Sequence, residues 1–382
     1  MFVGDTGIVQ LDRFRDALCA WLEENTGRLE PLIPGITLAE EVRRSRHNQQ
    51  QLYEAGWSRY GWDELVGGLG GSPLMRAVVA EEAMIRDLLH GSSFAITEVV
   101  LPSLVTAAPH LARQYGPGLL RGVEGWCQGF SEPDAGSDLA SLRCRAIDRG
   151  DHWVVTGQKI WTSYAQFAQR ILLLTRTGTP ESRHRGITAM LVDLDTPGIS
   201  VRPLQAMSDR PEFSEIFFDG VAVPKERLVG ELDGGWGVAM NMLRSERGGI
   251  FWMLSASLLS RLASLVREAP PGPADDELIG HCFLSIAALR TRSWSTQHRI
   301  AEDSMTTPET SIDKILMSTA EQELFDVALR LLGGRIEFSS DPDADRWRSG
   351  YFYSRAASIY GGTAEIQRTI VADQLLGLPR SR

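Results

Sequence analysis

The spacing of apolar residues changes twice along this chain. From about residue 8 to about residue 120, apolar residues recur three or four positions apart, as in LDRFRDALCAWLEE and LMRAVVAEEAMIRDLL, which is typical of helices. Short alternating or β-branched runs such as HWVVTGQKIWT, RILLLTRT and ITAMLVDL follow between Trp126 and about Val229. Helical spacing returns from Trp236 onward. The order α, β, α predicts an α+β protein of more than one domain.

Three domains follow from these changes. We predict an N-terminal helical domain over residues 1–125, a central β domain over 126–230 and a C-terminal helical domain over 231–382. A length of 382 residues with 43% hydrophobic residues suits two or three packed units. The strongest internal break is APPGPADD, residues 269–276, inside the third domain.

Charge and cysteine usage narrow the classes of partner. The formal net charge is −10 and no run of lysines or arginines occurs, which argues against nucleic acid and anionic membranes. We expect neither a secretory signal nor an apolar run near the roughly 20 residues of a membrane span. Four widely spaced cysteines and seven scattered histidines predict a cytoplasmic protein with reduced thiols and no metal site.

Two segments of the β domain are rich in small polar residues. FSEPDAGSDLASL covers residues 130–142, and VVTGQKIWTS covers 154–163. Glycines and hydroxyl residues in a loop expose backbone N–H groups, which can bind the polar edge of a heterocycle or a phosphate. An ordinary polar turn beside a strand with Trp161 in its core would have the same composition. No GxGxxG or P-loop sequence is present to suggest a classical nucleotide site.

The order of these segments resembles the acyl-CoA dehydrogenase family. The first segment is similar to that family's flavin-binding signature, and the second to its GQKxWxT/S strand. IYGGTAEIQRTIVADQLLGLP, residues 359–379, resembles the family's closing helix. The resemblance covers essentially the whole chain. It implies an N-terminal helical domain, a central β-barrel domain and a C-terminal four-helix bundle that assembles as a tetramer.

The resemblance also implies an FAD site. Gln128, Phe130 and Ser131 match the loop along the pyrimidine side of the flavin, and Ser137 matches a serine shared by FAD and the thioester. Trp161 matches the aromatic residue beside the flavin, and Ser163 the hydroxyl at N5. The positions that match backbone-rich segments holding FAD across a subunit interface are Arg330, Gly333, Gly334, Gly362, Thr363 and Glu365.

The implied reaction is α,β-dehydrogenation of an acyl thioester by a carboxylate base. Many family members place this glutamate immediately before the GT of the closing motif, where this chain has Gly361. A subset of the family carries it on the first helix of the C-terminal domain, where this chain has Glu246. In this respect the chain resembles actinobacterial members. We therefore predict Glu246 as the base and the Gly361 N–H as a donor to the thioester oxyanion. A glutamate beside an arginine is otherwise an ordinary surface residue.

The predicted substrate contacts are Ser137, Arg244, Arg247 and Gly361. The resemblance implies a branched or bulky acyl chain, with Gly248 and Gly249 suggesting room near the β-carbon, and an electron-transferring flavoprotein as oxidant. An acyl-carrier-protein substrate or reoxidation by oxygen would leave the same motifs.

One family feature is missing. Many members carry an Arg-x-x-Phe-Gly segment whose arginine reaches the FAD diphosphate of a neighbouring subunit, and REAPPGPADDELIG stands there instead, at residues 267–280. Either other contacts suffice in a homotetramer, or a homologous chain supplies the arginine in a heterotetramer, as in relatives acting on sterol side chains. The alternative to a complete dehydrogenase is that this chain is a cofactor-poor subunit, which completes the active site of a partner chain.

Overall fold

The N-terminal part of the chain is helical. The computed structural model describes residues 8–270, 272–304 and 306–379, so the predicted domain limits at residues 1 and 382 lie outside it. Within that part of the chain, helices α1 to α5 span Ile8–Glu24, Leu38–Glu54, Pro73–Met84, Gly91–Ala107 and Pro109–Arg121. Polar caps start two of them: the Thr37 hydroxyl accepts from the Glu40 N–H, and the Ser72 hydroxyl accepts from the Leu74 N–H just before Pro73.

The middle of the chain forms one mixed sheet. Its strands β1 to β8 span Trp126–Gly129, Arg145–Asp148, His152–Ser163, Arg170–Arg176, Ile187–Asp193, Ile199–Leu204, Phe213–Pro224 and Leu228–Val229. The strand order is β6-β7-β3-β2-β4-β5-β8, and β1 pairs in parallel with β4. Among the described residues the outer strands β6 and β8 do not pair with each other.

Both faces of the sheet are covered, which explains the unbroken apolar run of β4. Ile171 and Leu173 face a core within the β domain, together with Trp153 and Phe218. Leu172 and the alternate residues of β4 and β5 face a second core that they share with α4, α5 and α6. Helix α6 is therefore held directly against the sheet and the N-terminal helices.

The C-terminal part is a bundle around α9. Helices α6 to α12 span Gly235–Gly249, Phe251–Glu268, Asp276–Ala301, Thr307–Leu332, Gly334–Phe338, Pro342–Ser354 and Ala364–Ile370. Apolar residues of α7, α8 and α9, including Leu262, Ile286 and Phe325, form its core. The predicted α, β, α architecture is confirmed.

One helical stretch is longer and more apolar than the sequence analysis expected. Within the described residues, Gly235–Glu268 (α6 and α7) is long and apolar enough to cross a bilayer by length and composition alone. The expectation overlooked it because Arg244, Glu246, Arg247 and Arg261 interrupt the apolar run. The stretch packs against α3, α4, α8 and α9, as the core helix of a soluble protein does.

Candidate functional site

Glu246 lies where the three parts of the chain meet. It is partly buried in the last turns of α6, and its Oε2 lies 3.4 Å from Nε2 of Gln128 on β1. Oε1 faces the backbone of Gly361, which precedes α12. The fold thus brings three predicted site residues together from distant segments of the sequence.

Gly361 and Gly362 form a tight left-handed turn against this carboxylate. Their φ angles are +63° and +96°, which favour glycine. A Cβ at residue 361 would lie 2.9 Å from Oε1 of Glu246, closer than real Cβ contacts come. The Glu246 carboxylate therefore lies where a side chain at position 361 would begin, and the two positions cannot both hold a carboxylate without rearrangement.

Arg247 holds this turn in place. Its side chain is buried, and Nε donates to the Gly361 carbonyl oxygen at 3.0 Å. Nε2 of Gln367 donates to the same oxygen at 3.2 Å. Burial lowers the pKa of Arg247, while Glu246 beside it favours the charged form. Among the described residues the Gly361 N–H donates to no acceptor, which leaves it available to a ligand.

Lys314 on α9 is a second buried cation at the site, and sequence reasoning missed it. Its ammonium donates to the Ala357 carbonyl and lies 4.2 Å from the Tyr360 ring centroid, while its Cε would lie 3.4 Å from a Cβ at residue 361. Burial lowers the pKa of Lys314 to about 8, opposed by the charge of Glu246. A lysine inside the run DKILM was the available signal.

Trp161 has an unusual backbone conformation for a strand residue. It belongs to β3, yet its φ is +59°, in the left-handed region that L-residues rarely adopt, at an irregularity in the pairing with β7. The side chain is 58% exposed and makes an edge contact with the Phe213 ring, 5.9 Å between centroids. Backbone strain that displays an aromatic ring points to a ligand. The alternative of a core tryptophan is excluded.

A buried ion pair anchors the polar loop to β3, and the sequence analysis missed both partners. The Lys159 ammonium, fully buried, lies 2.8 Å from a Glu132 oxygen and donates to the Phe130 carbonyl at 3.0 Å. Glu132 also accepts from the N–H groups of Arg143 and Cys144 at 2.6 and 2.8 Å. The signal was the lysine of GQK, which alternation within the strand places on the inner face.

This anchor presents the predicted hydroxyls along one edge of the β domain. Phe130 is buried and Ser131 partly buried; the Ser131 carbonyl accepts from the Ile160 N–H at 3.0 Å. Ser163 is partly buried at the end of β3, and Ser137 is exposed in the loop that follows Glu132.

The remaining predicted residues lie elsewhere on the C-terminal part. Arg330 is near the end of α9, sixteen residues or about 24 Å along the helix from Lys314, followed by Gly333 and Gly334. Its guanidinium lies 3.4 Å from Asp275, in the segment that replaces the family's Arg-x-x-Phe-Gly. The Thr363 hydroxyl accepts from the Ile366 N–H at 3.3 Å, capping α12, and Glu365 is exposed in its first turn.

Two further residues of α6 that the sequence singled out, Arg244 and Gly249, have the following surroundings. Arg244 is partly buried two positions before Glu246, and residues so spaced on a helix point in nearly opposite directions. A Cβ at Gly249 would lie 3.4 Å from Cβ of Glu98 on α4. Gly249 therefore lies against α4.

Family profiles and similar proteins all point to one family. The profile described as "Acyl-CoA dehydrogenase, middle domain" matches residues 127–221, and "Acyl-CoA dehydrogenase, C-terminal domain" matches residues 233–376. The acyl-CoA dehydrogenase IpdE1 of Mycobacterium tuberculosis is 34% identical, over 97% of this chain and 98% of its own.

Solved structures with a similar fold include proteins of the same type. The Tcur3481-Tcur3483 steroid ACAD has a TM-score of 0.84 and 26% identity, over 98% of this chain and 99% of that one. The ChsE4-ChsE5 complex from Mycobacterium tuberculosis shares the fold, with a TM-score of 0.82 and 24% identity, over 99% of this chain and 100% of that chain.

Proposed function

Because the chain belongs to the acyl-CoA dehydrogenase family, we propose that it dehydrogenates an acyl-CoA thioester between the α and β carbons with Glu246 as the base. That it is an oxidoreductase of the acyl-CoA dehydrogenase type follows from the family itself. The observation that carries the assignment of the base is the contact between Glu246 and Gly361, because the carboxylate stands beside the position from which many relatives supply theirs.

The family is typically FAD-dependent, and this chain has groups suited to the cofactor. An exposed aromatic ring on strained backbone, Trp161, lies on the strand that ends with Ser163. The loop with Phe130 and Ser131 is tied to that strand by Lys159. We propose that these residues, with Gln128 and Ser137, hold the flavin ring. FAD, when bound, supplies the hydride acceptor at N5.

In the proposed reaction the Glu246 carboxylate takes the α-proton. The Gly361 N–H donates to the thioester carbonyl oxygen as negative charge develops there, which lowers the barrier. Arg247 is a positioning residue, because its bond to the Gly361 carbonyl orients the peptide next to that N–H. Lys314 places a buried positive charge near Glu246.

We propose a branched or bulky acyl chain as substrate and a cytoplasmic location. The support for the substrate is the likeness to a structure named as a steroid ACAD, at 26% identity over nearly the whole chain. A carrier-protein thioester remains the alternative substrate, and an electron-transferring flavoprotein is the proposed oxidant.

Our second proposal about partners is a heterotetramer of this chain with a homologous chain. The segment around Asp275 lacks the family's arginine, and Arg330, a predicted FAD contact, is paired with that aspartate. A homologous chain would then supply the missing cation, whereas in a homotetramer other contacts would suffice. Purifying the chain alone and with a co-expressed homologue, and comparing flavin absorbance and mass, separates these assemblies from a cofactor-poor subunit.

The test of the base is Glu246→Gln. The amide retains the size of the side chain but removes its basicity, so we expect retained FAD and thioester binding and at least about a 1000-fold slower anaerobic bleaching of the flavin. Glu231→Gln, at an exposed residue just before α6, is the matched control and should bleach at the wild-type rate. Wild-type bleaching in Glu246→Gln would refute the assignment.

A further inference from the structure

A cavity of about 280 Å³ lies where α7, α9 and α11 meet the N-terminal helices and the β domain. Its wall is not simply apolar. Leu254, Met317 and Phe325 line it, but so do the charged side chains of Arg261 and Glu321. A purely hydrocarbon ligand would leave Nε of Arg261 without an acceptor, at a cost in free energy.

The cavity lies next to the Glu246 site. Tyr360, whose backbone adjoins Gly361, donates from its hydroxyl to Glu321 on the cavity wall at 3.1 Å. Tyr353, also on the wall, lies 6.0 Å from the Tyr360 ring and stacks on Phe213, which contacts Trp161. One continuous set of contacts thus joins the cavity to the predicted base and to the exposed tryptophan.

The order of residues along the chain points the same way. Helices α6 and α7 follow each other with only Ile250 between them, and Nε2 of Gln297 donates to the Gly248 carbonyl at 2.8 Å at this junction. Arg261 lies nearly three helical turns into α7, about 15 Å from the first residue of that helix. Leu254 and Ser257, between the junction and Arg261, also line the cavity. An acyl group extending from Glu246 through this cavity would approach Arg261.

Arg261 differs from the other arginines of the cavity. Arg210 pairs with Glu41, and Arg346 pairs with Asp87 at 2.8 Å. In the described part of the chain, Arg261 forms no hydrogen bond or ion pair, its Nε is buried without a partner, and its guanidinium lies 5.8 Å from the Phe325 ring. Burial and the nearby Arg346 lower the pKa of Arg261 to about 10, opposed by the charges of Asp87, Glu321 and Glu41, so it stays charged at neutral pH.

Arg261 is partly buried and its buried Nε has no hydrogen-bond partner, which is costly, and the cost is recovered when a ligand supplies an acceptor. We propose that Arg261 binds an oxygen function, a carbonyl or a carboxylate, at the end of the acyl group remote from the thioester. This substrate class rests on the proposed function, because it takes Glu246 as the reacting end. It excludes short unsubstituted acyl groups as preferred substrates, because they would not reach Arg261.

The test uses the full chain loaded with FAD, together with its homologous partner if loading requires one. Saturated acyl-CoA thioesters from six to sixteen carbons are compared in three forms, ending in a methyl group, a carboxylate or a methyl ketone. The measured quantity is kcat/KM for each form at each length. Arg261→Met is the test variant, and Arg267→Met, at an exposed position of the same helix, is the control.

We expect an oxygenated end to be favoured over the methyl end by about tenfold or more at one or more lengths, as a charge-assisted hydrogen bond provides. Arg261→Met should lose this preference while still using methyl-ended thioesters, and Arg267→Met should keep it. The ketone and carboxylate arms identify which oxygen function is bound.

An equal preference in wild type and Arg261→Met at every length would overturn the inference, as would a wild-type preference for methyl ends throughout. In both cases thioesters still bleach the flavin, so the proposed function stands. If no thioester bleached the wild-type flavin, the proposed function would fail and this inference with it.

Discussion

At the scale of single residues, the proposed chemistry depends on how closely Glu246 and Gly361 approach each other. The sequence was sufficient to nominate both, because a resemblance supplies the two positions from which the family provides its base. It was not sufficient to show that they lie side by side, since they belong to segments more than one hundred residues apart and their approach depends on a left-handed turn. Lys314 was missed for the same reason: its partners come from distant segments.

This contact predicts the effect of adding one methyl group. Gly361→Ala forces an L-residue into φ +63° and places Cβ 2.9 Å from the Glu246 carboxylate. We expect about 1–2 kcal/mol of destabilisation and flavin bleaching slowed at least tenfold, because the base must move. Denaturant unfolding and anaerobic stopped-flow absorbance measure the two effects.

Gly237→Ala is the matched control, since this glycine also lies at the site's helix α6 but a Cβ there would meet nothing within 4 Å. It should leave the bleaching rate unchanged and be neutral or slightly stabilising. Equal behaviour of the two variants would contradict the close contact.

At the scale of elements, periodicity predicted the α, β, α order because periods of 3.6 and 2 residues are visible locally. The strand order was not predictable, since β1 and β2 both pair with β4 across long loops. The Lys159–Glu132 pair was missed because lysine and glutamate beside a polar loop suggest solvated side chains. Only the assembled sheet shows that the pair ties the loop to β3.

The pair predicts a large cost for breaking it. Lys159→Met leaves the Glu132 carboxylate buried without its cation, so we expect a loss of about 3–5 kcal/mol in the free energy of unfolding. Lys225→Met breaks a partly exposed pair with Asp148 in the same sheet and should cost about 1 kcal/mol or less. Urea unfolding followed by tryptophan fluorescence compares them. Equal costs would show that the Lys159 pair is not a structural anchor.

At the scale of the whole molecule, the three parts share one core and are joined by charged groups. Glu41 of α2 meets Arg210, which lies 3.7 Å from Glu212 ahead of β7. Burial raises the pKa of Glu212 to about 7, although Arg210 opposes the shift, and Oε2 of Glu212 is buried without a hydrogen bond. Sequence patterns do not show such a junction, because each partner alone looks like an ordinary surface charge.

Glu212 predicts a pH dependence of stability. Between its unfolded pKa near 4.5 and about 7, the folded state binds more protons than the unfolded state, so stability falls as pH rises through this window. Glu212→Gln should remove up to about 3 kcal/mol of that decline. Unfolding free energies at pH 5 and pH 7.5 measure it, with the exposed Glu226→Gln as control. An unchanged slope in Glu212→Gln would contradict the prediction.

We propose that the catalytic base of this chain is Glu246, where many relatives carry theirs at the position of Gly361. The most direct test is anaerobic flavin bleaching by an acyl-CoA thioester in two variants, Glu246→Gly and Glu246→Gly with Gly361→Glu, each checked for bound FAD. The account predicts that the single variant loses bleaching and that the double variant recovers part of it, because the space left by Glu246 admits the new carboxylate. Wild-type bleaching in the single variant, or no recovery in an FAD-loaded double variant, would contradict it.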